Sequence, residues 1–407
     1  MSTQAGGENG SADNNGSYAH AEGVNTIAKK RGSHSEGNET KALAEYSHAE
    51  GQYSEAIGTM SHAEGRQTVA GLNEQSWGAH AEGFKSKALN SSTHAEGYGT
   101  TASGDCSHAE GDSTFAEGKD THSEGHLTKA VSRQAHAEGD NTVAGDRDFD
   151  TSVISALGNY GVGAAAHAEG IGTLARGGAS HAEGYKTQAT GESSHAEGDN
   201  TIASVASSHA EGRSTEANGL ASHAEGYMTR TENYYGHAEG TYTLATGYGA
   251  HAEGRGDILQ SVVASGQGAH AEGYKTTASS DYSHAEGCLT TASGNDSHAE
   301  GFCTEASGES SHAEGSDTIA SGNRSHAEGY GTVAAGECQH VQGSFNSVDN
   351  DDKYIHIVGN GIDSERSNAH TLDWSGNAWF AGGLKVGGSG QDDEAAQEIA
   401  TKNYVLE

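Results

Sequence analysis

Histidine and glutamate stand two residues apart again and again along this 407-residue chain. Imidazole and carboxylate in an H-x-E pattern can ligate a transition metal or work as an acid/base pair. The pairs begin with His20 and Glu22, His34 and Glu36, His48 and Glu50, and His62 and Glu64. A second run holds His80, then His94 with Glu96, His108 with Glu110, His122 and His136. A third holds His167, His181 with Glu183, His195 with Glu197, His209 with Glu211, His223, His237 and His251. The last holds His270, His284 with Glu286, His298 with Glu300, His312 with Glu314 and His326 with Glu328, and ends in a degenerate HVQG copy at His340. Acid/base catalysis needs one cleft and one perturbed pair, so even recurrence argues against an enzyme.

Within each run the histidines step by 14 residues, and the steps between runs are 18, 31 and 19. One unit reads S-H-A-E-G-x-x-T-x-A-x-G-x-x. It holds two short alternating segments, each followed by a two-residue turn. Alternation at period two predicts strands, and fourteen residues are too few for a helical repeat. The expected fold is all-β. Its element is one coil of a parallel β-roll, with two strands of about five residues and glycine supplying positive φ at the corners. The absence of proline suits a ladder that needs every N–H. SVISALG in the 31-residue interval reads as a degenerate coil, with Val153 in the histidine position.

Strand alternation points Ser, Ala and Thr of each unit inward, for example Thr100, Ala102, Ser107 and Ala109. Ile27, Lys41, Glu55, Thr101, Gln188 and Arg230 share no chemistry and are expected in solvent. His and Glu lie outward yet stay fixed copy after copy, which points to an oligomer interface. Buried carboxylates need partners, so each Glu is expected to pair with a His of a neighbouring chain or coil. The weaker alternative is metal binding by axial ligands such as His181, Glu183, His195 and Glu197; no cofactor is otherwise expected. If the pairs are ionic, histidine pKa rises on folding, and the stabilisation fades as pH climbs through the folded value.

Large side chains are scarce: 6 Phe, 3 Trp and 3 Met against 61 Gly. A chain so poor in bulky groups cannot build one central core, but stacked repeats need none. The formal charge is −35, and protonating all 25 histidines would bring it only to −10. Nucleic acid and anionic membrane are therefore unsuited as partners. No apolar run is long enough to span a bilayer, and no leader of charged-then-apolar type opens the chain, so membrane insertion and Sec-type export are not expected. Cys106, Cys288, Cys303 and Cys338 form no CxxC pair and read as free thiols, although Cys288 and Cys303 fall near one corner of adjacent coils.

The repeat resembles the head repeats of trimeric autotransporter adhesins, whose unit reads S-V-A-I-G-x-x-(S/T/A)-x-A-x-G. The resemblance covers residues 18–343. It implies a left-handed parallel β-roll with three chains about one axis, and SHAEG in place of SVAIG puts His and Glu on that axis. SHAEG arrays also resemble phage and prophage tail-fibre proteins, as does Lys353 to Gly388 near the end of the chain. Localisation in a virion tail fibre follows, with the bacterial cell surface as the alternative. Expected partners are two further copies of the chain, other tail or baseplate proteins, and a bacterial surface glycan or protein receptor. Leu406-Glu407 reads as an appended dipeptide, so the natural chain is expected to continue, with a self-cleaving chaperone as one form of that continuation.

The expected organisation is a loose segment over 1–17, the β-roll over 18–343, a β-rich cap over 344–390 and a short helical tail over 391–407. In the cap, Tyr354, Ile355, Ile357, Val358, Trp374, Trp379 and Phe380 form the one dense apolar cluster and predict a compact β cap closing the trimer. The irregular intervals 72–78, 146–165 and 255–268 are expected to protrude. Trp77, Phe149 and Tyr160 within them are candidate receptor contacts. Tyr98, Tyr185, Tyr227, Tyr274 and Tyr330 follow the HAEG glycine and either stack on sugars or cap corners. Arg255-Gly256-Asp257 is an RGD tripeptide too short to carry weight.

Overall fold

The computed structural model describes residues 4–6, 11–12, 18–145 and 163–382. Val153, Phe149, Tyr160 and the expected C-terminal helix lie outside the described residues. The chain divides into two units, Met1–Tyr227 and Met228–Glu407. Among the described residues both are built from strands without helix, as a parallel β-solenoid.

In the first unit each coil opens with a five-residue strand, from His20–Val24 through His94–Tyr98 to His223–Tyr227. Each pairs in parallel and in register with the next, so that His94 faces His108 and Glu96 faces Glu110. The second strand is shorter than expected. It spans only two residues, as in Lys41–Ala42 or Thr101–Ala102. The coil bends again right after the inward alanine. Thr and Ala of this segment are fully buried, as are Ser and Ala of SHAEG. The interior is a set of alanine columns flanked by hydroxyls. A lumen this narrow has no room for larger side chains.

Two glycine expectations need correcting. The corners are turned mostly by other residues in the left-handed region, such as Glu39 (φ 57°), Tyr46 (56°) and Leu127 (56°). The HAEG glycine instead sits inside the strand, with φ near +110°. A Cβ on Gly97 would stand 2.1 Å from the Gly111 carbonyl oxygen of the next coil. Glycine is thus demanded there by axial stacking as well as by φ. Inward serines close the other corner by donating to the carbonyl three residues back, as Ser47 Oγ does to Ala44 (2.8 Å) and Ser61 Oγ to Gly58 (2.6 Å).

Across the 31-residue interval His136 pairs directly with His167 and Val143 with Leu174. Residues 71–78 leave the ladder at a corner, and His62 likewise pairs directly with His80.

In the second unit the same coils run from His237–Thr241 to His340–Ser344. Tyr354–Asn360 adds one more parallel strand, placing Ile357 on Val341 and His356 on His340. The ladder then turns antiparallel through Asn368–Asp373 and Ala378–Phe380. Polar side chains finish the stack. Asn346, in the usual Thr position, accepts from Val333 N (2.8 Å) and donates to Val333 O (3.0 Å), taking the place of the missing next strand. Gln339, in the usual Ser position, donates to Asp349 and to the Tyr354 carbonyl. In the terminal segment Ile357 is buried, and Trp374, Trp379 and Phe380 are 51%, 54% and 39% exposed on the hairpin of the single chain.

Candidate interface: the histidine and glutamate columns

In-register parallel stacking turns a 14-residue repeat into straight columns of identical side chains. The outward histidines stack face to face within each unit, for example His34 on His48 and His94 on His108 at 4.6 Å, or His62 on His80 and His122 on His136 at 4.9 Å. Their planes are nearly parallel, 4° apart for His34–His48 and 2° for His108–His122. The column bridges the long interval without a break, with His136 4.8 Å from His167. The second unit has its own column, which runs from His237 to His340 and loosens to a tilted contact at His356.

A glutamate column runs beside it, and here the sequence expectation needs correcting. Most histidines face the glutamate of their own strand, not that of a neighbouring coil. Nε2–Oε2 separations run from 3.4 Å at His20–Glu22 to 4.0 Å at His80–Glu82, His136–Glu138 and His167–Glu169. Glu36 stands 3.9 Å from His34, and Glu64 stands 3.9 Å from His62. Both carboxylates were expected to be buried in an interface and paired with a His of a neighbouring chain or coil. Instead Glu36 and Glu64 are half-exposed at the chain surface, and neither comes within hydrogen-bond reach of its histidine. The physical reason is strand geometry: residues i and i+2 share one face of their own strand, which brings each Glu beside its own His before any other. Within one chain these carboxylates keep their water, so only a second chain could bury them. Glu96, Glu110, Glu183, Glu197 and Glu286 repeat this arrangement with His94, His108, His181, His195 and His284.

Near the C-terminal end the partner changes to the preceding coil, in His312–Glu300 (3.4 Å), His326–Glu314 (3.5 Å) and His340–Glu328 (3.2 Å). Here Glu286, Glu300, Glu314 and Glu328 line an open groove of about 520 Å³ floored by Gly301, Gly315 and Gly329. The neighbouring Glu314 carboxylate, and then burial, raises the pKa of Glu300, while that of Glu314 is lowered beside Glu300.

The environment keeps many imidazoles neutral. Burial first, and then the adjacent imidazoles, hold His48, His108, His136, His195 and His298 below the usual histidine range. The glutamates pull the other way and are outweighed. The expected upward shift is therefore reversed, because desolvation and a like neighbour on each side exceed one carboxylate beyond hydrogen-bond reach. The Nε2 atoms of His48, His62, His94, His108, His195, His209 and His298 are closed off from solvent, with no hydrogen-bond partner.

Other candidates fall away from these columns. Trp77 is 56% exposed at the corner where residues 71–78 leave the stack. Tyr98, Tyr185, Tyr274 and Tyr330 are exposed at strand ends. The RGD segment is held in a tight turn: Asp257 accepts from Leu259 N and Gln260 N and pairs with Lys275 at 2.6 Å. Its carboxylate is thus already engaged. Cys288 and Cys303 are free thiols joined through their backbones, Cys303 N donating to Cys288 O. Sequence reasoning missed the imidazole stacking, although the constant 14-residue step was the signal for it.

The family model of the YadA head domain repeat matches two stretches, residues 49–70 and 313–336. No curated protein matches the chain. Each matched stretch starts at the inward alanine of an HAEG strand and runs through the two-residue strand of the next coil. The chain is a parallel β-solenoid repeat protein, and two stretches of it are similar to the YadA head domain repeat.

Proposed function

We propose that this chain is the shaft of a homotrimeric attachment fibre. The observation that carries this reading is the pair of His and Glu columns that runs along one outward face of each unit. A solvated face has no reason to repeat two residue types in every coil, and carboxylates left half-exposed without a hydrogen-bonded partner in their own chain can be covered by groups from outside it. Three chains about one axis would supply those groups coil by coil and would cover the exposed Trp374, Trp379 and Phe380 of the terminal hairpin. A rigid rod presenting three copies of weak surface sites gains its affinity from avidity, and no enzymatic step enters. Trp77 is the described residue we favour as a receptor contact, with a bacterial surface glycan or protein as its target.

Within this class the SHAEG array and the terminal segment favour a phage or prophage tail fibre. The YadA-head match supports a cell-surface adhesin as the second reading. Retention of fluorescently labelled protein on intact bacteria tests the attachment role. Saturable retention, competed by unlabelled protein and weakened by Trp77→Ala, is expected. Absence of retention on every species in a broad panel contradicts it.

A further inference from the structure

The unsatisfied Nε2 atoms bear on metal chemistry within a single chain, independently of how many chains assemble. In the second unit, His251, Glu253 and His270 form one group of donor atoms within 4.8 Å of one another, and His270, Glu272 and His284 form the next. His48, Glu50 and His62 repeat the arrangement in the first unit. Nε2 of His251, His270 and His284 has no accessible surface and no hydrogen bond. The carboxylates stand 3.7, 3.9 and 3.6 Å away in His251–Glu253, His270–Glu272 and His284–Glu286, too far for an N–H···O bond.

Those separations suit a shared ion. Ligand atoms about 2.0–2.2 Å from one zinc-like ion can stand up to about 4.2 Å apart, so each His–Glu pair already spans the required bite. The second imidazole, stacked at 4.7–4.8 Å, reaches the same ion by tilting out of the stack. Two neutral imidazoles and a carboxylate select Zn²⁺, Ni²⁺ or Cu²⁺ over Ca²⁺ or Mg²⁺.

We infer that the His/Glu columns bind divalent transition ions as a linear array of His–Glu–His sites. Consecutive triads share a histidine, as the two above share His270, so adjacent sites exclude each other. Repulsion between dications one coil apart acts in the same direction. Loading therefore saturates at no more than one ion per two coils.

The test uses the full chain without an affinity tag. One sample is made in cells supplied with Zn²⁺, and one is dialysed against Zn²⁺ after purification, so that a closed interface does not hide the sites. Both are then dialysed against excess Mg²⁺ and assayed for metal per chain. Several zinc ions per chain, not exceeding half the number of H-x-E coils, are expected in at least one sample. Cu²⁺ in the same sites should show electron paramagnetic resonance splitting from two nitrogens. Retention below one ion per chain in both samples, or oxygen-only coordination, overturns the proposal. Solution mass of the same samples separates the two readings: a trimer without zinc removes only this inference, and a zinc-loaded monomer removes only the trimer.

Discussion

Hydroxyls in the lumen show what a single side chain contributes. Thr68, Thr100, Thr114 and several equivalents are buried with no partner for Oγ1. Two coils carry HSEG in place of HAEG, and in both the extra serine meets the threonine of its own coil: Ser35–Thr40 at 2.9 Å and Ser123–Thr128 at 2.7 Å. Introducing the same serine by Ala109→Ser should give Thr114 a partner and leave stability unchanged or raised by up to about 1 kcal/mol. Ser123→Ala should orphan Thr128 and destabilise by about 1 kcal/mol. Urea unfolding of the two variants checks both signs, and destabilisation by Ala109→Ser would contradict the account of the lumen. The inward set of Ser, Thr and Ala was legible from alternation alone. Which threonines lack a partner was not, because that depends on distances across a lumen one side chain wide. The own-strand placement of Glu36 and Glu64 was within reach of the same alternation, but the assumption that the carboxylates are buried pointed away from it.

Coil-on-coil stacking governs the element scale. The HAEG glycine permits it, and Gly97→Ala would drive a methyl into the Gly111 carbonyl at a φ of +114°. A loss of about 3 kcal/mol or more is expected, felt mainly by neighbouring coils because each coil contacts only the next. Hydrogen exchange should show that loss centred on residues 94–112, and uniform protection would contradict it. The same stacking sets the response to pH. Histidines such as His108 and His195 have folded pKa values below the unfolded 6.5, because of burial and adjacent imidazoles. The unfolded chain then binds more protons, so the stability is fully present above pH 6.5 and is lost as pH falls below it. The melting temperature should drop between pH 7.5 and 5, whereas a rise on acidification would restore the ionic-pair picture. Strand identity and register were readable from the 14-residue step. The sign of the histidine shift was not, because it rests on each ring lying 4.6–4.9 Å from its neighbours in the column, which only the folded stack reveals. The two-residue second strand also escaped, since sequence spacing does not say where a strand ends.

At the scale of the whole molecule, a chain with charge −35 and a lumen of alanine, serine and threonine gains little from apolar burial. Among the described residues its larger apolar side chains are mostly on the outside: Trp77, Trp374, Trp379 and four of the corner tyrosines, Tyr98, Tyr185, Tyr274 and Tyr330, are exposed. Composition pointed to a repeat fold without a central core, and that architecture is present. It also suggested an apolar cap closing the trimer, and the hairpin of the single chain offers Trp374 and Trp379 outward, where another chain can cover them. The trimer is the central claim, because it gives both the His/Glu columns and the terminal hairpin a partner. The direct measurement is solution mass by light scattering at pH 7.5, with and without EDTA. The account predicts three times 41.6 kDa in both conditions. A folded species of 41.6 kDa would contradict it and leave the two columns facing water.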